Sequence, residues 1–166
     1  MARAADLVES LARAGATVAT AESLTGGLVV AALTDIPGAS AVVRGGVVAY
    51  ATDLKSELAG VPAETLRRDG PVAASTAAAM AEGVRQRCAA TYGVATTGVA
   101  GPDPQDGHLP GTLHVAVAGP VGTRVESISE LRGDRSAIRA AAVHHALSLL
   151  AEMVQGARES QPGSGR

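Results

Sequence analysis

"TVATAESLTGG", residues 17–27, is the stretch from which the fold can first be read. TVATA, at 17–21, reads as a short strand. From Thr25 the run TGGLVVAALTDI reads as a helix that Pro37 and Gly38 stop. Ser23 stands at the junction. The same punctuation recurs downstream. GGVVAYA (45–51) is almost continuously apolar, as expected of a strand buried on both faces. A short helix is predicted over Leu54 to Leu58, and Pro62 suits the first turn of another. An Ala-rich helix follows from about Ala73 to Ala90, then the strand YGVATTG (92–98).

Outside this middle section, residues 3–14 form an amphipathic pattern with Leu7, Val8 and Leu11 on one side, ended by Gly15. TLHVAVAG (112–119) and TRVESISEL (123–131), joined through Gly-Pro-Val-Gly, read as a hairpin. GDRSAIRAAAVHHALSLLAEMV (133–154) is a closing helix with Asp134 near its start. Helices alternating with buried strands predict an α/β fold, a mixed, mostly parallel sheet with helices on both faces. Residues 1–155 are predicted to form one domain, and the polar 156–166 segment a disordered tail.

Composition narrows the function classes. A net charge of −2 over 166 residues gives no electrostatic case for nucleic acid or an anionic membrane. Asp6 and Glu9 interrupt the first apolar pattern, so no secretory signal is expected. No run of about 18 apolar residues suggests a membrane span. One cysteine, Cys88, cannot form an internal disulfide; it points to a cytoplasmic location and reads as a packed core thiol. The histidines, at 108, 114, 144 and 145, lack metal-ligand spacing, and no dinucleotide or Walker A pattern is present. No metal and no cofactor are expected. His145 shares its helical spacing with Ile138, Ala142 and Leu149, which fits a satisfied histidine at the core edge.

Two oddities remain. Phe and Trp are missing, leaving Tyr50 and Tyr92 as the only aromatic residues. Of fourteen basic residues all but one are Arg, the exception being Lys55. A desolvated lysine can lose its proton and act as a base, which arginine cannot. In such sheets ligands gather at strand ends, and three ends here, after Ala21, Tyr50 and Thr97, are polar or Gly-rich. Ser23 or Thr25 would serve as a simple helix cap. Alternatively, Ser23 is a nucleophile and backbone N–H groups at Thr25, Gly26 and Gly27 hold an oxyanion. Lys55 is open to two readings as well, a solvated surface charge or the base that activates Ser23.

TVATAESLTGG, GGVVAYATDLK, TTGVAGPD and GDRSAIRAAAVHHAL together resemble the C-terminal domain family of CinA, in order from about residue 5 to 155. Its stand-alone members are nicotinamide-nucleotide amidohydrolases. The resemblance implies a three-layer α/β/α sandwich and hydrolysis of nicotinamide mononucleotide (NMN) to nicotinate mononucleotide and ammonia. It matches Ser23 with the nucleophile and Tyr50 and Lys55 with its activating partners. Thr97 and Arg135 fall at substrate-contact positions, with Gly98 and Gly101 in the same loop as phosphate donors. A homodimer is usual for the family. The amino-terminal domain of longer CinA proteins, with its pyrophosphatase-type chemistry, is not expected. Leu24 replaces the family's usual cysteine, and residues 51–52, 73–75 and 103–107 depart from its polar or Gly-containing pattern. Two rival readings are a non-catalytic nucleotide-sensing module and a Ser-Lys amidase for another amide.

Overall fold

The computed structural model describes residues 4–159. Its order is α1 (Ala4–Arg13), β1 (Val18–Glu22), α2 (Leu28–Thr34), β2 (Val43–Val48), α3 (Thr52–Glu57), α4 (Ala63–Asp69), α5 (Ala74–Arg87), β3 (Tyr92–Gly98), β4 (Leu113–Gly119), β5 (Gly122–Ile128) and α6 (Arg135–Glu159). The sheet runs β2-β1-β3-β4-β5. β1 pairs in parallel with both β2 and β3, while β4 is antiparallel to β3 and to β5. Four of the five strands therefore point the same way, with β4 reversed by the expected hairpin.

Alternation along the strands divides the molecule into layers, because successive side chains point to opposite faces. Val18, Val94, Leu113, Val115 and Val117 face a core shared with α1, α2 and α6. Ala19, Ala21, Ala95, Ala116 and Ala118 face the other way, toward Ala77, Met80, Ala81 and Val84 of α5. One face is thus built from branched side chains and the other from alanine. A helix on an alanine face can lie very close to the sheet. A Cβ placed on Gly93 of β3 would sit 2.0 Å from the Ala81 carbonyl oxygen, and one on Gly83 of α5 would sit 1.8 Å from that of Ala59.

Several boundaries differ from the sequence expectation. β2 is an edge strand whose residues alternate between half-buried and exposed, so it is not buried on both faces. An apolar run does not reveal where in the sheet a strand will lie, and the edge leaves Val48 44% exposed. α2 begins at Leu28 rather than Thr25, because Gly26 and Gly27 adopt φ of 59° and 99°, outside right-handed helix. α6 continues to Glu159, so residues 156–159 are helical and not part of a tail; the remainder of the expected tail lies outside the described residues. By length and composition α6 is apolar enough to cross a membrane, yet its Ile138, Ala142, Ala146, Leu150 and Met153 are packed in the sheet-facing core. Its start is capped by Asp134, whose Oδ1 accepts from the Ala137 N–H at 2.8 Å. His145 meets Glu126 across the sheet edge at 3.0 Å, and Cys88 is half-buried beside the alanine face.

The close approach of α5 generates a stability prediction. Gly93→Ala should destabilise the fold by about 1–3 kcal/mol, since the backbone of α5 must move to admit one methyl group. Urea unfolding checks this; an unchanged midpoint would mean that α5 yields freely.

Candidate active site

β1 lies between its two parallel neighbours, so its C-terminal end is flanked on both sides by strand ends of the same direction. This is the position at which open α/β sheets expose a crevice. Glu22 is in register with Val48 on one side and Thr96 on the other. Beyond it, the Ser23 N–H donates to the Thr96 carbonyl at 3.0 Å, and the Ala49 N–H donates to the Glu22 carbonyl at 2.9 Å. Ser23 is thereby fixed at the centre of the row.

Lys55 comes from α3, whose only fully buried side chain it is. Just 2% exposed, it points its Nζ at Ser23 Oγ, 2.8 Å away, and at the Ala49 carbonyl oxygen, 3.0 Å away. Burial lowers its pKa to about 8 from an ordinary value near 10.5, opposed in part by the negative charge of Asp106. At pH 7 such an amine is neutral in roughly a tenth of molecules, against fewer than one in a thousand for a free lysine.

The cleft above this pair is lined by Ser23, Leu24, Tyr50, Lys55, Thr97, Gly98, Gly101, Asp103, Gln105 and Arg135, with Thr52, Pro71, Val72, Val99 and Ala100 completing the wall. It encloses about 70 Å³. A larger cavity of about 530 Å³ lies between α1 and α6; among the described residues its polar lining is Asp6, Ser10, Gln155 and Glu159, with no basic group beside the serine. The Ser23–Lys55 pair lines the smaller space.

Tyr50 follows β2 rather than ending it and is 55% exposed. Its hydroxyl accepts from Arg135 Nη2 at 2.8 Å, while Arg135 Nη1 donates to the Gly101 carbonyl at 2.8 Å. Among the described residues Tyr50 bonds to neither Ser23 nor Lys55. The Tyr50–Arg135 pair closes one wall of the cleft. Thr97, fully buried, donates to the Pro71 carbonyl at 2.7 Å and ties β3 to the segment before α5.

Thr25, Gly26 and Gly27 do not line the cleft. The Gly26 N–H donates to the Ser23 carbonyl at 3.0 Å and the Gly27 N–H to Glu22 Oε2 at 3.0 Å. Those two donors are therefore spent, which corrects the expectation that residues 25–27 present free N–H groups. Among the described residues, the N–H groups of Leu24 and Thr25 are the ones in this turn without a partner. Leu24 does border the cleft.

Three contributors were invisible in the sequence reading. Glu22 is a buried carboxylate beside the serine. Arg139 of α6 donates to the carbonyls of Leu24 and Thr25 at 2.9 and 3.0 Å. Asp106 acts on Lys55 through space. Their one trace in the sequence is Glu22 as the charged residue of β1, and nothing about it indicates its partners. No cluster of His, Cys, Asp and Glu suited to a metal occurs among the described residues.

The CinA C-terminal domain model matches residues 2–154, and the chain belongs to that family. It is 53% identical over 151 residues to a CinA-like protein of Frankia casuarinae, covering 91% of this chain and 35% of the relative. A putative competence-damage inducible protein of Desulforamulus reducens is 45% identical over 148 residues, covering 89% and 36% respectively. The chain thus spans about a third of the length of these curated relatives. Among solved structures, the competence/damage inducible protein CihA of Agrobacterium tumefaciens is 36% identical with a TM-score of 0.84, covering 92% of this chain and 96% of that one. A CinA superfamily protein of Klebsiella pneumoniae, 28% identical, superimposes with a TM-score of 0.88 over the same shares. The α/β sandwich is the fold of this superfamily.

The lone lysine makes its own titration measurable. In nuclear magnetic resonance spectra of protein labelled at lysine, the single side chain should titrate with a midpoint near 8. Because Asp106 raises that value, Asp106→Asn should move the midpoint downward. An unshifted midpoint near 10.5 in the native protein would place the amine in water.

Proposed function

We propose that this chain is a Ser-Lys amidase that deamidates NMN to nicotinate mononucleotide. The observation that carries the reading is the 2.8 Å contact between the Lys55 amine and Ser23 Oγ at the base of the cleft. In the reactive form the neutral amine accepts the Ser23 proton as Oγ attacks the carboxamide carbon. The tetrahedral oxyanion is held by the unpartnered N–H of Leu24, which borders the cleft. Collapse breaks the C–N bond, and the ammonium on Lys55 returns a proton to the departing ammonia. Water, deprotonated by the same amine, then cleaves the nicotinoyl ester and frees Ser23.

The cleft volume suits this division of labour. About 70 Å³ admits the carboxamide end of a substrate, not a whole nucleotide, since drug-sized pockets run to roughly 300–1,000 Å³. Ribose and phosphate would lie at the mouth, where Arg135 and the Gly101 end of the loop stand. The pyridinium charge would disfavour a second cation nearby and so help keep Lys55 neutral. Tyr50 serves here through Arg135, shaping the mouth, rather than as a proton carrier.

The deciding experiment measures ammonia released from NMN and from a panel of other amides. Turnover should rise with pH through about 8 as the amine loses its proton. Lys55→Arg should cost about 10²–10⁴-fold, because a guanidinium cannot accept the proton. Ser23→Ala and the double variant should lose similar amounts if the two residues act as one unit. Activity on another amide alone would redirect the substrate, and an active Lys55→Arg protein would remove the base. Arg135→Ala should impair NMN about ten- to a hundredfold more than nicotinamide riboside, which lacks the phosphate; equal losses would make Arg135 a wall residue only.

A further inference from the structure

Glu22 has no part in the chemistry above, yet it is 1% exposed and adjoins the nucleophile. A carboxylate removed from water is costly unless every lone pair is engaged. Here Oε2 accepts from the Gly27 N–H at 3.0 Å, the Val29 N–H at 2.9 Å and the Thr25 hydroxyl at 2.7 Å, and Oε1 accepts from the Val30 N–H at 2.8 Å. Since a carboxylate only accepts, the Thr25 proton is committed to it. The 2.7 Å contact between the Thr25 and Thr96 hydroxyls must then have Thr96 as donor. A single side chain therefore ties β1, the turn, the start of α2 and β3 together.

Ordinary helix capping is local, from the residue just before the helix. This cap reaches back across the whole turn that contains Ser23, and only the two left-handed glycines bring the N–H groups to it. The backbone of Glu22 works on the other partner. Its carbonyl fixes Ala49 through the Ala49 N–H, and the Ala49 carbonyl accepts from Lys55. From α6 Arg139 donates to the Leu24 and Thr25 carbonyls. In a trans peptide, N–H and C=O point in opposite directions. Holding the Leu24 carbonyl thus aims the Thr25 N–H away from Arg139. By absorbing the N–H groups of Gly27, Val29 and Val30, the carboxylate keeps the turn from shifting into a regular helical start.

We propose that Glu22 is the positioning residue of the nucleophile, its buried carboxylate locking the turn that holds Ser23 Oγ against the Lys55 amine. This rests on the amidase reading only in needing an activated serine, so its test does not require NMN. The probe is a fluorophosphonate, with which Ser23 Oγ forms an O–P bond while P–F breaks, fluoride leaves and the hydroxyl proton passes to Lys55. Intact mass measures the rate. Ser23 should label in the native protein, and Ser23→Ala should not. Glu22→Gln, kept at a temperature where circular dichroism shows it folded, should label about ten- to a hundredfold more slowly, the loss expected of a nucleophile displaced by about 1 Å. Where NMN is turned over, the same loss should appear in kcat with KM little changed. A carboxylate that merely stabilised α2 would lower the melting temperature and leave the labelling rate of the folded protein intact, which overturns the proposal. Should Glu22→Gln not fold, Thr25 decides. Thr25→Val should slow labelling and Thr25→Ser restore it, whereas a native rate in Thr25→Val overturns the proposal. Failure of the native protein to label overturns it as well. Labelling without NMN turnover refutes only the choice of substrate.

Discussion

The arrangement around Ser23 depends on one lysine amine held out of water. A charged ammonium carries three N–H donors, and Lys55 has two acceptors within reach among the described residues, Ser23 Oγ and the Ala49 carbonyl. The neutral amine suits the same two partners, donating to Ala49 and receiving the Ser23 hydroxyl proton on its lone pair, and like the ammonium it leaves one N–H over. Desolvation therefore decides for the neutral form, and Asp106 opposes it. A proton poised between these tendencies is what a general base at neutral pH needs.

The layering explains how so small a cleft is built with such definition. Even-numbered residues at the ends of β1 and β3, Glu22 and Thr96, join Thr25 and α2 on the branched face. The next residue of β3, Thr97, turns toward the alanine face and anchors the segment before α5. Ser23 emerges between these two anchored layers, so neither side of its turn is free to drift. The alanine face adds stiffness, because at Gly93 the backbone of α5 lies directly against the strand with no side chain between them.

How much of this could be read in the sequence depends on what kind of partner each residue has. Strand and helix identities were legible wherever periodicity was strong, as in YGVATTG and the closing helix. Lys55 was legible by contrast, since every other basic position is Arg. Glu22 was not, because its partners are backbone N–H groups that exist only once Gly26 and Gly27 turn left-handed. No side-chain pattern announces such a contact. The Tyr50 hydroxyl meets Arg135 from a distant helix, so the reading of Tyr50 as a partner of Ser23 had nothing local to correct it. β2 was misread as fully buried because an apolar run is the same string at an edge as at the centre; strand order is a property of the whole sheet.

Thermodynamic linkage adds a last constraint on what Lys55 is for. Its folded pKa, about 8, lies below the value near 10.5 expected when unfolded. Between those values the unfolded chain binds more protons, so stability rises with pH across that window. Below pH 8 the full penalty applies, on the order of 3 kcal/mol for a shift of this size. That is a large fraction of the stability of a domain this small. A leucine or methionine at position 55 could pack beside Ala59 and Val61 on the alanine face without it, as buried charges are often replaced at a net gain. The amine is thus a local loss that packing does not require. On the amidase reading proposed above, what offsets it lies outside the folding equilibrium, in the proton it would take from Ser23.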